Sequence, residues 1–473
     1  MIKEINILHS NDIHADFVSE NGDVTISRLS NYIKEERSKN KDLLFCISGD
    51  VLCGSQIDKD FKGLSTIEIM NTIKPDVLAL GNHEIDYGLG QALLLEKCAN
   101  FPIICANFYL KAEHKRVFDS HILRKICGMN ILIIGVITPE IANSVLMEYE
   151  KDSIVTVTDA TEEIEKICQM YSGYDIDFTI VLSHLGLKND IKMAEKLSKK
   201  SGVDIIIGGH THTNMEEPVM VNNIPIVQIQ GGSEYIGKLR INVDDEKNCI
   251  SSYTWEAIST ENYSEDNETK QCVMHFEKDV LEKSSRVVTS LEHSYVGTER
   301  NRESELYMLL SDALKNKFGL DVMLLSTGSV RSQKIGPVVT YGDLCTAFPF
   351  DDKLFAVYMS VGELKKILIH MLKCTQNGVH SEFYQLSCGM TVKYYEKENI
   401  MKVYFADNEA NDELKIKVGI QEYHLINSSS CLGLNLDNNT RKLLADNCMT
   451  ALEYALTGKQ NSGASQKRIE IIK

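Results

Sequence analysis

The chain has 473 residues, with 50 Lys plus Arg against 67 Asp plus Glu and a formal net charge of −17. That length exceeds one core of ordinary size and predicts two or three domains. The acidic balance excludes general affinity for nucleic-acid backbone, so an anionic ligand needs local cations.

Met1-Ile2-Lys3-Glu4 runs straight into Ile5-Asn6-Ile7-Leu8, without the basic segment, apolar core and cleavage site of an export signal. The longest apolar stretches, such as Ile131 to Ile137, are strand-length and far short of a membrane span. Thirteen cysteines include no Cys-x-x-Cys pair, and an odd number cannot be wholly paired within the chain. These features predict a soluble cytoplasmic protein with no membrane or nucleic-acid partner, in which Cys46, Cys105 and Cys127 are small core residues.

From residue 1 to 257 short apolar runs alternate with amphipathic stretches. Asn6 to His9, Leu43 to Ser48, Asp76 to Leu80, Ile103 to Ala106, Ile131 to Ile137, Thr179 to Ser183, Asp204 to Ile207 and Pro225 to Gln230 read as buried strands. Leu29 to Arg37, Leu89 to Cys98, Ala160 to Met170 and Ile191 to Lys199 repeat at helical spacing. The alternation predicts a layered α/β domain with ligands at strand ends. Residues 258 to 289 are polar at first and then carry Cys272, Val273, Phe276, Val280 and Leu281 at helical intervals, which predicts a linker with a bridging helix. Residues 290 to 473 predict a second, α+β domain. Its expected helices are Leu306 to Phe318, Val361 to Leu372 and Thr440 to Leu456. Its expected strands are Val322 to Leu325, Lys353 to Met359, Thr391 to Tyr395, Lys402 to Phe405 and Glu422 to Ile426.

Five apolar runs of the first domain close on residues that bind metal ions, and together they can hold two. Asp12 and His14 lie one residue apart after the first run, so an extended backbone would aim both the same way. Asp50 follows Ser48-Gly49, where glycine lets the chain turn tightly, and it is the natural bridging carboxylate. In Gly81-Asn82-His83-Glu84-Ile85-Asp86, Asn82 offers a neutral amide oxygen, while Asp86 can orient the imidazole of His83. That pair can stabilise negative charge or protonate a leaving oxygen without being a ligand. Glu84 reads as a solvated or helix-starting acid. His184 follows Ile180 to Ser183, and His210 and His212 follow Gly208-Gly209. One such histidine would read as a core or loop residue; three beside Asp-x-His, Gly-Asp and Gly-Asn-His point to a shared centre. Mixed nitrogen and oxygen ligands suit manganese, zinc, cobalt or iron.

The order and spacing of these segments resemble the metallophosphoesterase motifs of the 5′-nucleotidase family, which also contains UDP-sugar hydrolases and 2′,3′-cyclic nucleotide phosphodiesterases. The resemblance covers nearly the whole chain. It implies a four-layer αββα sandwich followed by a substrate-binding domain. It also implies one divalent ion held by Asp12, His14, Asp50 and His212 and another by Asp50, Asn82, His184 and His210. A hydroxide bridging the two would attack phosphorus, with His83 and Asp86 as the catalytic dyad.

The resemblance continues in Ser326-Thr327-Gly328-Ser329-Val330-Arg331 and Phe348-Pro349-Phe350-Asp351-Asp352. From the corresponding segments the family presents an arginine to the substrate's phosphate and an aromatic ring to its base, and Arg331 and Phe350 are the matching positions. Arg300, Arg302 and Asp352 are further substrate-binding candidates. The family's second stacking aromatic is replaced by Asn427 to Asn435, so the resemblance leaves the base preference open.

The leading reading is a metal-dependent phosphohydrolase cleaving phosphate from nucleotides, with a small-molecule phosphoester as its partner. One alternative is a phosphodiesterase or pyrophosphatase acting on 2′,3′-cyclic nucleotides, UDP-sugars or dinucleotides. Another, of a different class, is a catalytically silent nucleotide-binding sensor.

Overall fold

The computed structural model describes residues 2–19, 21–139, 154–198, 201–244, 246, 249–297, 301–350, 352–376, 383–436, 441–457 and 467–473. The chain divides into two units, Met1–Val280 and Leu281–Lys473.

In the first unit the strands are β1 (Ile2–Ser10), β2 (Leu44–Ser48), β3 (Val77–Ala79), β4 (Ile103–Ile104), β5 (Phe108–Leu110), β6 (Lys115–Arg116), β7 (His121–Ile126), β8 (Met129–Ile137), β9 (Val155–Val157), β10 (Phe178–His184), β11 (Ile205–Ile207), β12 (Val219–Val221), β13 (Ile224–Val227), β14 (Tyr235–Asp244) and β15 (Cys249–Ser259). They form one sheet in the order β15-β14-β1-β2-β3-β4, another in the order β12-β13-β11-β10-β8-β7, and a small one of β6, β5 and β9. β1 to β4 are parallel, as are β8, β10, β11 and β13. β14, β15, β7 and β12 add antiparallel.

The strands read as continuous apolar runs because both faces of each sheet are covered. Ile5 and Ile7 of β1, Leu44 and Cys46 of β2, Ile131 and Ile133 of β8, and Ile180 and Leu182 of β10 meet in one cluster between the two sheets. Their neighbours point the other way. Leu8, Phe45 and Ile47 join the helices Thr25–Lys39 and Leu64–Ile73, while Leu132, Ile134 and Val181 join Ala160–Met170 and Leu187–Lys196. The first unit is therefore layered helix, sheet, sheet, helix, and each fully buried aliphatic side chain contributes roughly 1.5–3 kcal/mol. Helix Asn267–Ser284 inserts Val273 and Phe276 into the first unit's core, so part of the segment read as a linker packs as an integral layer. Cys46 and Cys105 are buried, but Cys127 is exposed, because it occupies the β7–β8 turn with φ +50°.

The second unit is built on a sheet ordered Tyr384–Leu386, Val322–Ser326, Lys415–Gln421, Leu354–Ser360 and Arg441–Ala445. Met323, Leu325 and Ala356 pack against helices Glu305–Phe318 and Cys448–Leu456. Val322, Leu324 and Val357 pack on the other face with Leu364, Ile367 and Leu368 of helix Val361–Gln376. Two expectations change here. Glu422–Ile426 is a short helix rather than a strand, started where Asp352 Oδ1 accepts from Tyr423 N–H at 3.1 Å. The stretch expected as one helix to Leu456 is split, because Arg441–Ala445 pairs with Leu354–Ser360 and the helix begins only after Asn447, whose side chain caps Thr450 N–H at 3.0 Å.

Candidate metal centre

The parallel strands of both sheets deliver the chemistry-bearing residues from their carboxyl ends. β1 runs into Asp12 and His14, β2 into Asp50, and β3 into Asn82 and His83. β10 ends on His184, and β11 runs into His210 and His212. Asp12 and His14 are not extended, as the sequence suggested, but left-handed, with φ of +51° each. The cause is a strap of backbone bonds: Asp12 N–H donates to Gly49 O and His14 N–H to Asp50 O, both at 3.0 Å. Asp50, His210 and His212 are left-handed as well. Such residues cost of order 1–3 kcal/mol each and persist only where their surroundings over-determine them. Glycine permits the crowding, since a Cβ on Gly49 would lie 2.5 Å from His184 Nδ1 and one on Gly81 2.2 Å from Asp50 Oδ1.

These turns gather ligand atoms into two groups, Asp12 with His14 and His212, and Asp50 with His184 and His210, each group's atoms lying within 4.8 Å of one another. Asp50 also groups with His14 and His83. Its Oδ1 accepts from His83 N–H at 2.9 Å, while Oδ2 lies 3.0 Å from His184 Nε2 and 4.0 Å from both His14 Nε2 and His83 Nε2. Asp12 is oriented by His210 N–H, at 3.0 and 2.9 Å from its two oxygens, and by Asn11 Nδ2 at 2.7 Å. Buried Gln228, with its amide oxygen turned to the chain, accepts from His212 N–H at 3.1 Å and fixes the last turn.

The donor set fits divalent cations. His14 Nδ1 faces Leu52 O at 3.3 Å and His184 Nδ1 faces Ser48 O at 2.7 Å, which makes each Nδ1 the proton carrier and leaves the Nε2 lone pair pointing inward. His14 Nε2 then meets His212 Nε2 at 3.0 Å. Asn82 Oδ1 is buried without a hydrogen-bond partner among the described residues, and buried His184 Nε2 faces the Asp50 carboxylate at 3.0 Å. Buried acceptors left so are costly unless positive charge lies among them. The field has that sign. Burial pulls His184 down, yet Asp50 and then Asp12 carry its pKa up to about 9, and burial of Asp50 is outweighed by His184 and His83, which hold it at about 2.

His83 stands beside this set. Its Nδ1 is 2.5 Å from Asp86 Oδ2, and that hydrogen bond, against the effect of burial and with help from Asp50, raises its pKa to about 9. Glu84 is the residue whose role the sequence hid. Far from solvated, it is 4% exposed and accepts four backbone N–H groups: Asp50 at 2.9 Å and Gly81 at 2.6 Å on Oε2, Val51 at 2.8 Å and Leu52 at 3.3 Å on Oε1. Burial, then Asp50, raises its pKa to about 7, but four donors on two oxygens call for the carboxylate. Glu84 thereby ties the Asp50 turn to the Asn82 turn. The available signal was a carboxylate immediately after two ligand-type residues and within reach of glycine-rich turns.

In the second unit Arg331 and Phe350 are adjacent. The guanidinium carbon lies 4.9 Å from the centroid of the Phe350 ring, and the ring is 44% exposed rather than part of the core. Arg331 N–H donates to Ala347 O at 2.8 Å, which fixes the turn that carries it. Arg302 is exposed, and Arg300 lies outside the described residues. Asp352 is engaged inside the unit, accepting from Tyr423 N–H and, at 3.4 Å, from Gln421 Nε2.

Comparison with known proteins agrees with this construction. The calcineurin-like phosphoesterase profile matches residues 5–214, and the profile of the 5′-nucleotidase C-terminal domain matches residues 284–408. The chain is 29% identical over 376 residues to the metallophosphoesterase YunD of Bacillus subtilis, covering 78% of each. It is 27% identical over 444 residues to the snake venom 5′-nucleotidase of Crotalus adamanteus, covering 83% of this chain and 74% of that protein. Its fold is similar to the crystal structure of the 5′-nucleotidase precursor from Thermus thermophilus, with a TM-score of 0.59 at 22% identity over 99% of both chains. With a phosphoesterase unit that brings Asp and His ligands to its strand ends, followed in sequence by a 5′-nucleotidase C-terminal domain, the chain belongs to the 5′-nucleotidase family and is a metal-dependent phosphoester hydrolase.

Proposed function

We propose that this enzyme binds two divalent ions and releases phosphate from nucleotides. The observation that carries the reading is Asp50, whose carboxylate faces both groups of ligand atoms and is therefore placed to be shared between them. Asp12, His14 and His212 would complete one set; Asn82, His184 and His210 would complete the other. Divalent ions bound there supply Lewis acidity, lowering the pKa of water and neutralising phosphoryl oxygens.

The remaining work falls to the protein. His83, whose pKa the hydrogen bond to Asp86 raises, presents Nε2 as a donor to the charge that develops on the phosphoryl or leaving oxygen. Asp86 accepts from Nδ1 and so fixes both ring orientation and tautomer. In the second unit Arg331 gives a fixed positive charge for phosphate, and the exposed face of Phe350 gives a surface on which a base can stack. Asp352 holds the Phe350 segment through Tyr423. The nucleotide substrate is supported by the 5′-nucleotidase relatives and by this arginine–aromatic pair. A reducing, cytoplasmic setting is consistent with thirteen cysteines that form no disulfide among the described residues.

The test is a panel of phosphomonoesters and phosphodiesters offered to the purified protein with manganese. Turnover of nucleoside monophosphates is expected; no turnover of any of them overturns the reading.

A further inference from the structure

One further cluster of metal-ligating atoms lies beside the two ligand groups and adds a thiol to His83 and Asp86. Cys53, His83 and Asp86 each offer a ligand atom, and these atoms lie within 4.8 Å of one another. The thiol is held in place by its backbone. Cys53 has φ +62°, and its N–H donates to Asp58 Oδ2 at 3.0 Å. Asp58, wholly buried, is itself fixed by the hydroxyls of Thr66 and Tyr87, both at 2.6 Å. That network leaves Sγ 3.9 Å from His83 O and puts Asp86, Asp58 and Glu84 around it as negative charge. Cys53 is half-buried and Asp86 is exposed, so a small cation can reach the cluster from solvent.

We propose that Cys53, His83 and Asp86 form an additional, inhibitory site for a thiophilic divalent cation such as zinc or cadmium. Sulfur, imidazole nitrogen and carboxylate oxygen are the three ligand types zinc combines in tetrahedral sites, with water free to take the fourth position. Manganese and magnesium prefer oxygen and do not compete well for a thiolate, so the site discriminates among cations that the main centre accepts. Binding releases the thiol proton and the proton shared by His83 Nδ1 and Asp86, and the metal takes their place. The imidazole is then pinned to the cation and no longer oriented by Asp86 alone. The inhibitory consequence rests on the dyad role given to His83 and Asp86 above; the site itself does not.

The experiment uses the manganese-loaded full chain and compares wild type with Cys53→Ser and Cys53→Ala. Zinc is titrated against phosphoester turnover, each protein normalised to its own uninhibited rate. Cadmium is titrated in parallel by ultraviolet absorbance, where a thiolate ligand gives a sulfur-to-metal charge-transfer band. In wild type zinc lowers kcat with little change in KM, and in both variants the inhibitory concentration rises by at least about tenfold. The cadmium band loses one thiolate equivalent in both variants. An inhibitory zinc concentration that is the same in all three proteins, or a cadmium band undiminished in both variants, overturns the proposal. If the wild type hydrolyses no phosphoester, the functional reading fails, while the cadmium band still decides whether the site exists.

Discussion

Replacing Glu84 by Gln tests whether one buried carboxylate holds the ligand turns in register. The substitution keeps shape and one carbonyl oxygen. Its amide nitrogen must then face either Asp50 and Gly81 N–H or Val51 and Leu52 N–H, donors against a donor. Two buried N–H groups lose their acceptor, at about 1–3 kcal/mol each, so the cost is about 2–6 kcal/mol. Against a typical total of roughly 5–15 kcal/mol that is a large share. The two tethered turns carry Asp50 and Asn82, so manganese affinity should fall by about 10–100-fold as well, as for other groups that orient metal ligands. Urea unfolding with and without manganese reads the first effect, and a manganese titration of turnover reads the second. Unfolding and manganese dependence both equal to wild type in Glu84→Gln would show that the tether does not position the centre.

Three further outcomes follow from other parts of the molecule. Arg468 and Asp312, each 3% exposed, pair through two bonds of 2.8 and 2.7 Å, so Arg468→Met strands a buried carboxylate and should cost about 3–5 kcal/mol in unfolding, most of it recovered by adding Asp312→Leu. Asp204 is half-buried, and desolvation of its carboxylate raises its pKa from 3.8 to about 7. The folded state therefore binds this proton more tightly than the unfolded chain, and stability from this group is lost as pH rises from about 4 through 7; Asp204→Asn should gain on wild type over that window, as measured by unfolding at pH 5 and pH 8. Asn82→Ala removes an oxygen that has no hydrogen-bond partner among the described residues, so the chelator-treated protein should be no less stable than wild type, while the stabilisation given by added manganese should shrink.

The first unit was legible because its central strands are covered on both faces, which makes β8 or β10 an unbroken apolar run with a functional residue at its end. The β14–β15 hairpin was not singled out, since β15 alternates partly buried with exposed residues and carries no such run. Arg441–Ala445 was absorbed into a helix because its two leucines suit either period and only the cap at Asn447 separates strand from helix. At the site, ligand identities could be read from motifs, but conformations depended on distant partners: Asp12 and His14 are left-handed because the Gly49–Val51 turn bonds to them. Glu84 escaped for the same reason, as three of its four donors lie more than thirty residues away.

The central claim is that Asp50 joins two cation sites into one hydrolytic centre. Metal content after reconstitution with manganese, measured beside phosphate release from a nucleoside monophosphate, tests it for wild type and Asp50→Ala. The account predicts two ions per wild-type chain, with turnover, and in Asp50→Ala a loss of bound metal together with a fall in kcat of at least about a thousandfold. Wild-type turnover in Asp50→Ala, or two ions still bound to it, would contradict the account.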